Sequence, residues 1–334
     1  MKIILGTMNI EYPWTSNPSN TIEEYKSIID YYLQWSKSNL NNPILDTAYY
    51  YANTKTEQVL GQILPQLDYI PKIATKANPW FQNDFTSNQF GQLDKINLPR
   101  QLETSLLNLG LNKVDIFYLH CWDYETPIRE TLEITTDLWR REKFDKFGIS
   151  NFNPEQTNLV MEIIEEQELC PLSYYQGMYN MIAKKVEEIL PIINLNKIEF
   201  WAYNPLAGGL LTGKYKKIYD VNNNNNITEL DLINSRFGLN KIYQNIFWKE
   251  QILNGIRDFV NLPYPINYAL NWYKLDSKLS FNDGIIIGSS TLEQIKTNLK
   301  YLNNDNNEII DDNVYKDFNI KYDEFKSYTP DYFY

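Results

Sequence analysis

One histidine, two cysteines and no run of basic residues stand out in a chain of 334 residues. Each scarcity removes a class of function. Cys121 and Cys170 alone give no disulfide framework, so a reducing compartment is the simpler reading. Lys and Arg total 31 against 42 Asp and Glu, a formal charge of −11, which argues against a nucleic-acid groove and an anionic membrane surface. No stretch approaches the roughly 20 apolar residues of a membrane helix. Asn9 and Glu11 cut the opening Ile3-Ile4-Leu5 run too short for a signal peptide. Gly-x-Gly-x-x-Gly does not follow the first apolar run, which weakens a doubly wound dinucleotide-binding sheet.

What is present is 43% hydrophobic residues, enough for a substantial core. Short apolar runs alternate with segments of helical periodicity. Strands are expected at 2–7, 44–46, 73–76, 114–119, 146–150, 173–176, 199–203 and 283–288. Helices are expected from the capping box Thr21-Ile22-Glu23-Glu24, over 57–64, from Pro99 to Gly110, over 126–142, from Asn153-Pro154, over 186–193, 251–260 and 266–275, and after Ser289-Ser290-Thr291. Such alternation is the mark of a parallel sheet built from βαβ units. The expectation is a single α/β domain over 1–334, a TIM-type barrel with long loops. Asn222 to Asn226 reads as a solvated loop, and the tail from Asn304 is acidic and aromatic.

Three strand ends carry the chemistry. Ile44-Leu45-Asp46 runs into a Tyr-rich loop containing Tyr51. Ile73-Ala74-Thr75-Lys76 ends in a lysine, and Val114 to His120 ends in the single histidine. The C-terminal ends of barrel strands are where such folds place their chemistry. A carbonyl that receives hydride gains charge on oxygen and needs a proton donor beside it. A phenol is a weak acid, but a neighbouring ammonium stabilises the phenolate. In this reading Tyr51 is the acid, Lys76 supports it, Asp46 holds Lys76 charged and oriented, and His120 hydrogen-bonds the carbonyl. Taken singly, a strand-end Tyr is usually a packing residue, an Asp a turn residue and a His a satisfied core group. The joint pattern carries the assignment.

A second set suits a dinucleotide. Ser150, Asn151 and Gln176 offer hydroxyl and amide partners at two further strand ends, and Tyr203 offers a ring for stacking. Leu206-Ala207-Gly208-Gly209 allows backbone to approach a pyrophosphate, although a plain loop is the commoner meaning of two glycines. Gly288-Ser289-Ser290-Thr291 opens a helix whose N-terminus favours phosphate. No metal ligand is assigned.

Longer motifs carry a family resemblance. They are Asp46-Thr47-Ala48-x-x-Tyr51, Lys72-Ile73-Ala74-Thr75-Lys76-Ala77-Asn78-Pro79-Trp80, Gln101-Leu102-Glu103-Thr104-Ser105-Leu106, Asp115-Ile116-Phe117-Tyr118-Leu119-His120, Tyr175-Gln176-Gly177-Met178-Tyr179-Asn180, and Ala202-Tyr203 through Lys214-Tyr215. With these the chain resembles the aldo-keto reductases, in particular the branch that reduces aflatoxin aldehydes and succinic semialdehyde. The resemblance implies a (β/α)8 barrel with a C-terminal extension over the active-site face, NADPH/NADP+ as cofactor and a small carbonyl substrate. It also implies a cytosolic homodimer. By resemblance Asp46, Tyr51, Lys76 and His120 are catalytic. Ser150, Asn151, Gln176, Tyr203, Asn204, Pro205, Leu206, Gly208, Lys214, Arg236, Gly288, Ser289, Gln294 and Asn298 hold the cofactor, and His120, Arg236 and Tyr243 meet the substrate. Gln294 stands where many reductases of the wider family carry arginine, so the expected preference for NADPH over NADH is modest. Arg236 keeps one arginine of the substrate mouth, whereas Ile246 and Tyr334 stand where two others are expected. Two alternatives stay open at this point. One is a cofactor-holding regulatory subunit, and the other is an aldolase using Lys76 as a Schiff-base amine.

Overall fold

Strands that are apolar on both faces have to be covered on both, and a closed parallel barrel inside a helical shell does this. The computed structural model describes residues 1–11, 21–39, 41–83, 89–215, 245–303 and 310–332. Its strands are β1 (Lys2–Gly6), β2 (Ile44–Asp46), β3 (Lys72–Ala77), β4 (Val114–Leu119), β5 (Phe144–Ser150), β6 (Leu172–Met178), β7 (Glu199–Tyr203) and β8 (Gly284–Gly288). They close in chain order, and β8 pairs parallel with β1 from Lys2 opposite Gly284 to Gly6 opposite Gly288. The fold is a (β/α)8 barrel.

The helices that follow the first six strands are α1 (Ile22–Ser38), α2 (Lys55–Ile63), α3 (Asn97–Leu109), α4 (Ile128–Arg140), α5 (Pro154–Gln167) and α6 (Leu190–Leu195). Their ends follow local chemistry. Thr21 and Glu24 close a capping box on α1, and Asn153 and Gln156 close another on α5. Gly110 ends α3 at φ 67°, a left-handed backbone that glycine adopts without a Cβ penalty.

Two expected helices are broken. The segment 186–193 is a 3₁₀ turn, Lys185–Glu188, followed by the separate α6. Pro191 has no N–H to donate, so it sits in a helix's first turn and cannot continue an earlier one. The segment 251–260 divides into Glu250–Gly255 and Arg257–Val260. A Cβ on Gly255 would lie 2.1 Å from the Phe325 ring, so the break lies where the C-terminal helix presses in. That helix, Asn313–Phe325, was read in the sequence only as acidic and aromatic tail. It packs on the helical shell: Phe318 meets Phe259 at 5.2 Å, and Lys184 bonds Asn319 at 2.7 Å. Tyr332 bonds Glu188 at 2.9 Å.

Inside the barrel, Ile4, Ile44, Ala74, Ile116, Tyr118, Trp201 and Ile286 form one packed cluster. Gly148 makes room for it, since a Cβ there would lie 2.3 Å from the Tyr118 ring. This plug fills the barrel, so polar side chains gather at the C-terminal strand ends. Among the described residues no helix is long and apolar enough to cross a membrane.

Candidate active site

The ends of β2, β3 and β6 converge on one ammonium. Lys76 Nζ donates to Asp46 Oδ2 at 2.8 Å and to the Thr47 carbonyl at 2.7 Å, and stands 3.5 Å from the Tyr51 hydroxyl. These three contacts match the three donors an ammonium has. Gln176 Nε2 donates to the other carboxylate oxygen, Asp46 Oδ1, at 2.9 Å. Lys76 is 0% exposed and Asp46 3%. Burial lowers the Lys76 pKa, and the Asp46 charge and hydrogen bond oppose that fall, with a further push from Glu57. Tyr51 lies in the loop after β2, and the chain then turns through Ala52, Asn53 and Thr54, all at positive φ, before α2 begins.

His120 follows β4, held by its N–H on the Ala77 carbonyl at 2.8 Å. Its ring lies 5.9 Å from that of Tyr51 and 5.2 Å from that of Trp80. Burial first, and the Lys76 charge second, hold its pKa well below the usual imidazole value, so the ring is neutral near neutrality. Nδ1 is buried with no hydrogen-bond partner among the described residues. The His120 carbonyl accepts from Asn151 Nδ2 at 3.0 Å, and Asn151 Oδ1 accepts from the Tyr203 hydroxyl at 2.9 Å. Asn151 holds φ 63°, which turns the chain at the end of β5.

These groups open into a cleft of about 630 Å³. Asp46, Tyr51 and His120 line it, whereas Lys76 stands behind them. Met8, Tyr50, Trp80, Ile246, Phe247 and Ile266 supply apolar wall. Trp80 is set by a linked series of hydrogen bonds: its N–H donates to Asn78 Oδ1 at 3.0 Å, and Gln101 of α3 brackets the Asn78 backbone at 2.9 Å on both sides.

Along the cleft lie Ser150, Asn151, Gln176 and Tyr203, then Asn204, Pro205, Leu206, Gly208 and Lys214 of the loop after β7. That loop turns through left-handed backbone at Asn204, Ala207, Gly208 and Gly209. Asn204 Oδ1 accepts the Gly208 N–H at 2.7 Å and pins the turn. At the far end Gly288, Gln294 and Asn298 line the cleft, together with Ser290, Glu293 and Thr297. Gln294 Oε1 accepts the Ser290 N–H at 2.7 Å. Ser289 lies behind the cleft rather than on it, beside Leu5, Tyr25 and Ile28, and its buried hydroxyl has no partner among the described residues. Arg236 and Tyr243 lie outside the described residues.

Sequence reasoning left the cleft walls unassigned. Trp80 had been visible within the Asn78-Pro79-Trp80 motif and Tyr50 beside Tyr51. Met8 and Ile266 carried no signal, because nothing local marks an apolar residue as facing a cleft.

A filled parallel barrel, with a buried Asp–Lys pair under a phenol and a neutral imidazole beside a long cleft at the C-terminal strand ends, has the layout of a TIM barrel whose polar groups gather at that face. The sequence matches the Aldo/keto reductase family over residues 2–313. It is 36% identical over 272 residues to aflatoxin B1 aldehyde reductase member 2 of Mus musculus, covering 76% of this chain and 70% of that protein. To aflatoxin B1 aldehyde reductase member 4 of Homo sapiens it is 35% identical, covering 76% and 78%. L-glyceraldehyde 3-phosphate reductase of Escherichia coli O157:H7 is 30% identical over 210 residues, 61% of this chain and 57% of that protein. The chain belongs to the aldo/keto reductase family, and is thus an oxidoreductase of a family that acts on small carbonyl compounds.

Proposed function

We propose that the protein reduces aldehydes to alcohols with NADPH, with Tyr51 as proton donor. The observation that carries this is the Lys76 ammonium, fully buried on Asp46 and 3.5 Å from the Tyr51 hydroxyl. Charge so placed stabilises the phenolate that forms as the proton leaves. His120, held neutral, donates a hydrogen bond to the carbonyl oxygen without competing as the acid. Tyr50 and Trp80 exclude water beside it.

The donor set fits a nicotinamide dinucleotide. Ser150 is 1% exposed at the end of β5, and its hydroxyl has no partner among the described residues. With Asn151 and Gln176 it would hold a carboxamide, Tyr203 would stack on the ring, and Gly208 to Lys214 would cradle the pyrophosphate. Bound NADPH supplies the hydride. The Lys76 amine does not line the cleft and has its donors engaged, which disfavours Schiff-base chemistry. The test is loss of NADPH absorbance on adding 4-nitrobenzaldehyde, with NADPH oxidised faster than NADH. A protein that binds NADPH but oxidises it with no aldehyde or ketone of a broad panel is not a reductase.

The cleft also sets an expected substrate preference. Among the described lining residues Lys214 is the only Lys or Arg, and it belongs to the loop after β7. Ile246 offers methyl groups where an acid would need a cation. A charge-assisted hydrogen bond contributes about 1.5–3 kcal/mol, so kcat/KM for succinic semialdehyde should trail that for an uncharged aromatic aldehyde. Ile246→Arg should raise the acid's value by roughly 10- to 100-fold. A strong wild-type preference for the acid, unchanged in the variant, would contradict this.

A further inference from the structure

A second carboxyl stands behind the strand that carries Lys76. Glu57, in the first turn of α2, is 0% exposed. Its Oε1 accepts the Thr75 hydroxyl at 2.5 Å, Ser105 of α3 stands beside the same carboxyl, and Oε2 makes no well-formed hydrogen bond among the described residues. Thr75 and Lys76 are consecutive on β3, so their side chains leave opposite faces of the strand. Lys76 points into the barrel towards Asp46, and Thr75 points out towards Glu57. Packing alone does not call for an acid here, because burying a carboxylate with one oxygen unpaired is costly.

We propose that Glu57 is a positioning residue for proton donation, a second carboxylate on the outer side of β3 that acts through the Lys76 ammonium on Tyr51. This rests on the reading of Tyr51 and Lys76 as the proton-donating pair.

Burial pushes the Glu57 carboxyl up to about 7, against the pull of Thr75 and Lys76 from β3 and of Ser105 from α3. The coupling is mutual, for Glu57 follows Asp46 among the groups that help Lys76 keep its proton. Below neutrality Glu57 is largely uncharged, and Asp46 is the anion beside the buried ammonium, helped by the neutral Thr47 carbonyl. Above neutrality Glu57 ionises as the ammonium comes under greater pressure to deprotonate. The protein thereby keeps Lys76 cationic, and Tyr51 supported, further into the alkaline range.

Glu57→Gln separates charge from shape, since its amide oxygen still accepts from Thr75. Aldehyde reduction by the variant should match wild type near pH 6, where both side chains are neutral. Its alkaline limb should move to lower pH by roughly half a unit to one unit. A structural role alone lowers the rate at every pH. The coupling is read without turnover by ¹³C NMR of ε-¹³C-lysine-labelled protein, with the Lys76 resonance assigned by its loss in Lys76→Met. In Glu57→Gln the Lys76 titration should move down with the rate profile. Should that variant not fold, Thr75→Val removes one hydrogen bond to the ionised carboxylate. The Glu57 inflection seen in the Lys76 resonance should then move up. Lys76 resonances that titrate as in wild type overturn the inference. A moved titration in a protein that reduces no aldehyde supports the coupling and overturns the reductase reading instead.

Discussion

Tyr51→Phe should bind NADPH as tightly as wild type and reduce aldehydes about 10²- to 10⁴-fold more slowly, the usual range for loss of a positioned acid. The change removes one oxygen and little else. The ring keeps its place 5.9 Å from His120, and the Lys76 ammonium keeps Asp46 and the Thr47 carbonyl. His120 cannot take over, because burial and the Lys76 charge hold it neutral. Cofactor affinity should hold, since none of the groups assigned to the dinucleotide depends on the phenol. Fluorescence quenching reads the affinity and nitrobenzaldehyde reduction reads the rate. A Phe variant that turns over near the wild-type rate would place the acid elsewhere.

Lys76→Met should cost about 3–5 kcal/mol of stability at neutral pH as well as turnover, the range for breaking a buried ion pair from one side. Met fills much of the lysine's volume, so the loss is electrostatic rather than a cavity. Asp46, 3% exposed, would keep Gln176 as a donor on Oδ1 and lose the one cation paired with it among the described residues. The penalty should ease as pH falls and the stranded carboxyl takes up a proton. Urea denaturation at pH 7.5 and pH 5 checks both statements. A deficit under 1 kcal/mol that does not vary with pH would mean that the pair contributes little to the fold.

The polar residues that meet at the strand ends were legible because each broke a local pattern. Asp46, Lys76 and His120 close apolar runs where a buried strand should not end in an ionisable group, and the βα units up to the seventh strand were legible through their alternating periods, which lapse between Leu211 and Asn282. Glu57 was not, because an acid in a helix's first turn has an ordinary meaning, favourable contact with the helix dipole. Its burial comes from α2 lying against β3 and α3, a tertiary fact. The break at Pro191 was open to inspection, since a proline inside an apolar period starts a helix more readily than it continues one. Asn254-Gly255 was a local breaker signal, but the Phe325 ring packed against Gly255, 70 positions later in numbering, is a tertiary contact that nothing local marks.

Glu57 also makes folding a proton-uptake reaction. Its carboxyl has a pKa of about 4.5 in the open chain, and burial pushes it up to about 7 in the native protein. Between those values the folded state holds more protons than the unfolded one, so this group's contribution to stability falls as pH rises. Below about 4.5 the contribution is level, and above about 7 the folded state carries the full cost, roughly 3 kcal/mol for a shift of that size. The sign is opposite to that of a salt-bridged carboxylate. At alkaline pH the barrel is therefore less stable than it would be with a neutral side chain at position 57, and the same charge sustains the Lys76 ammonium.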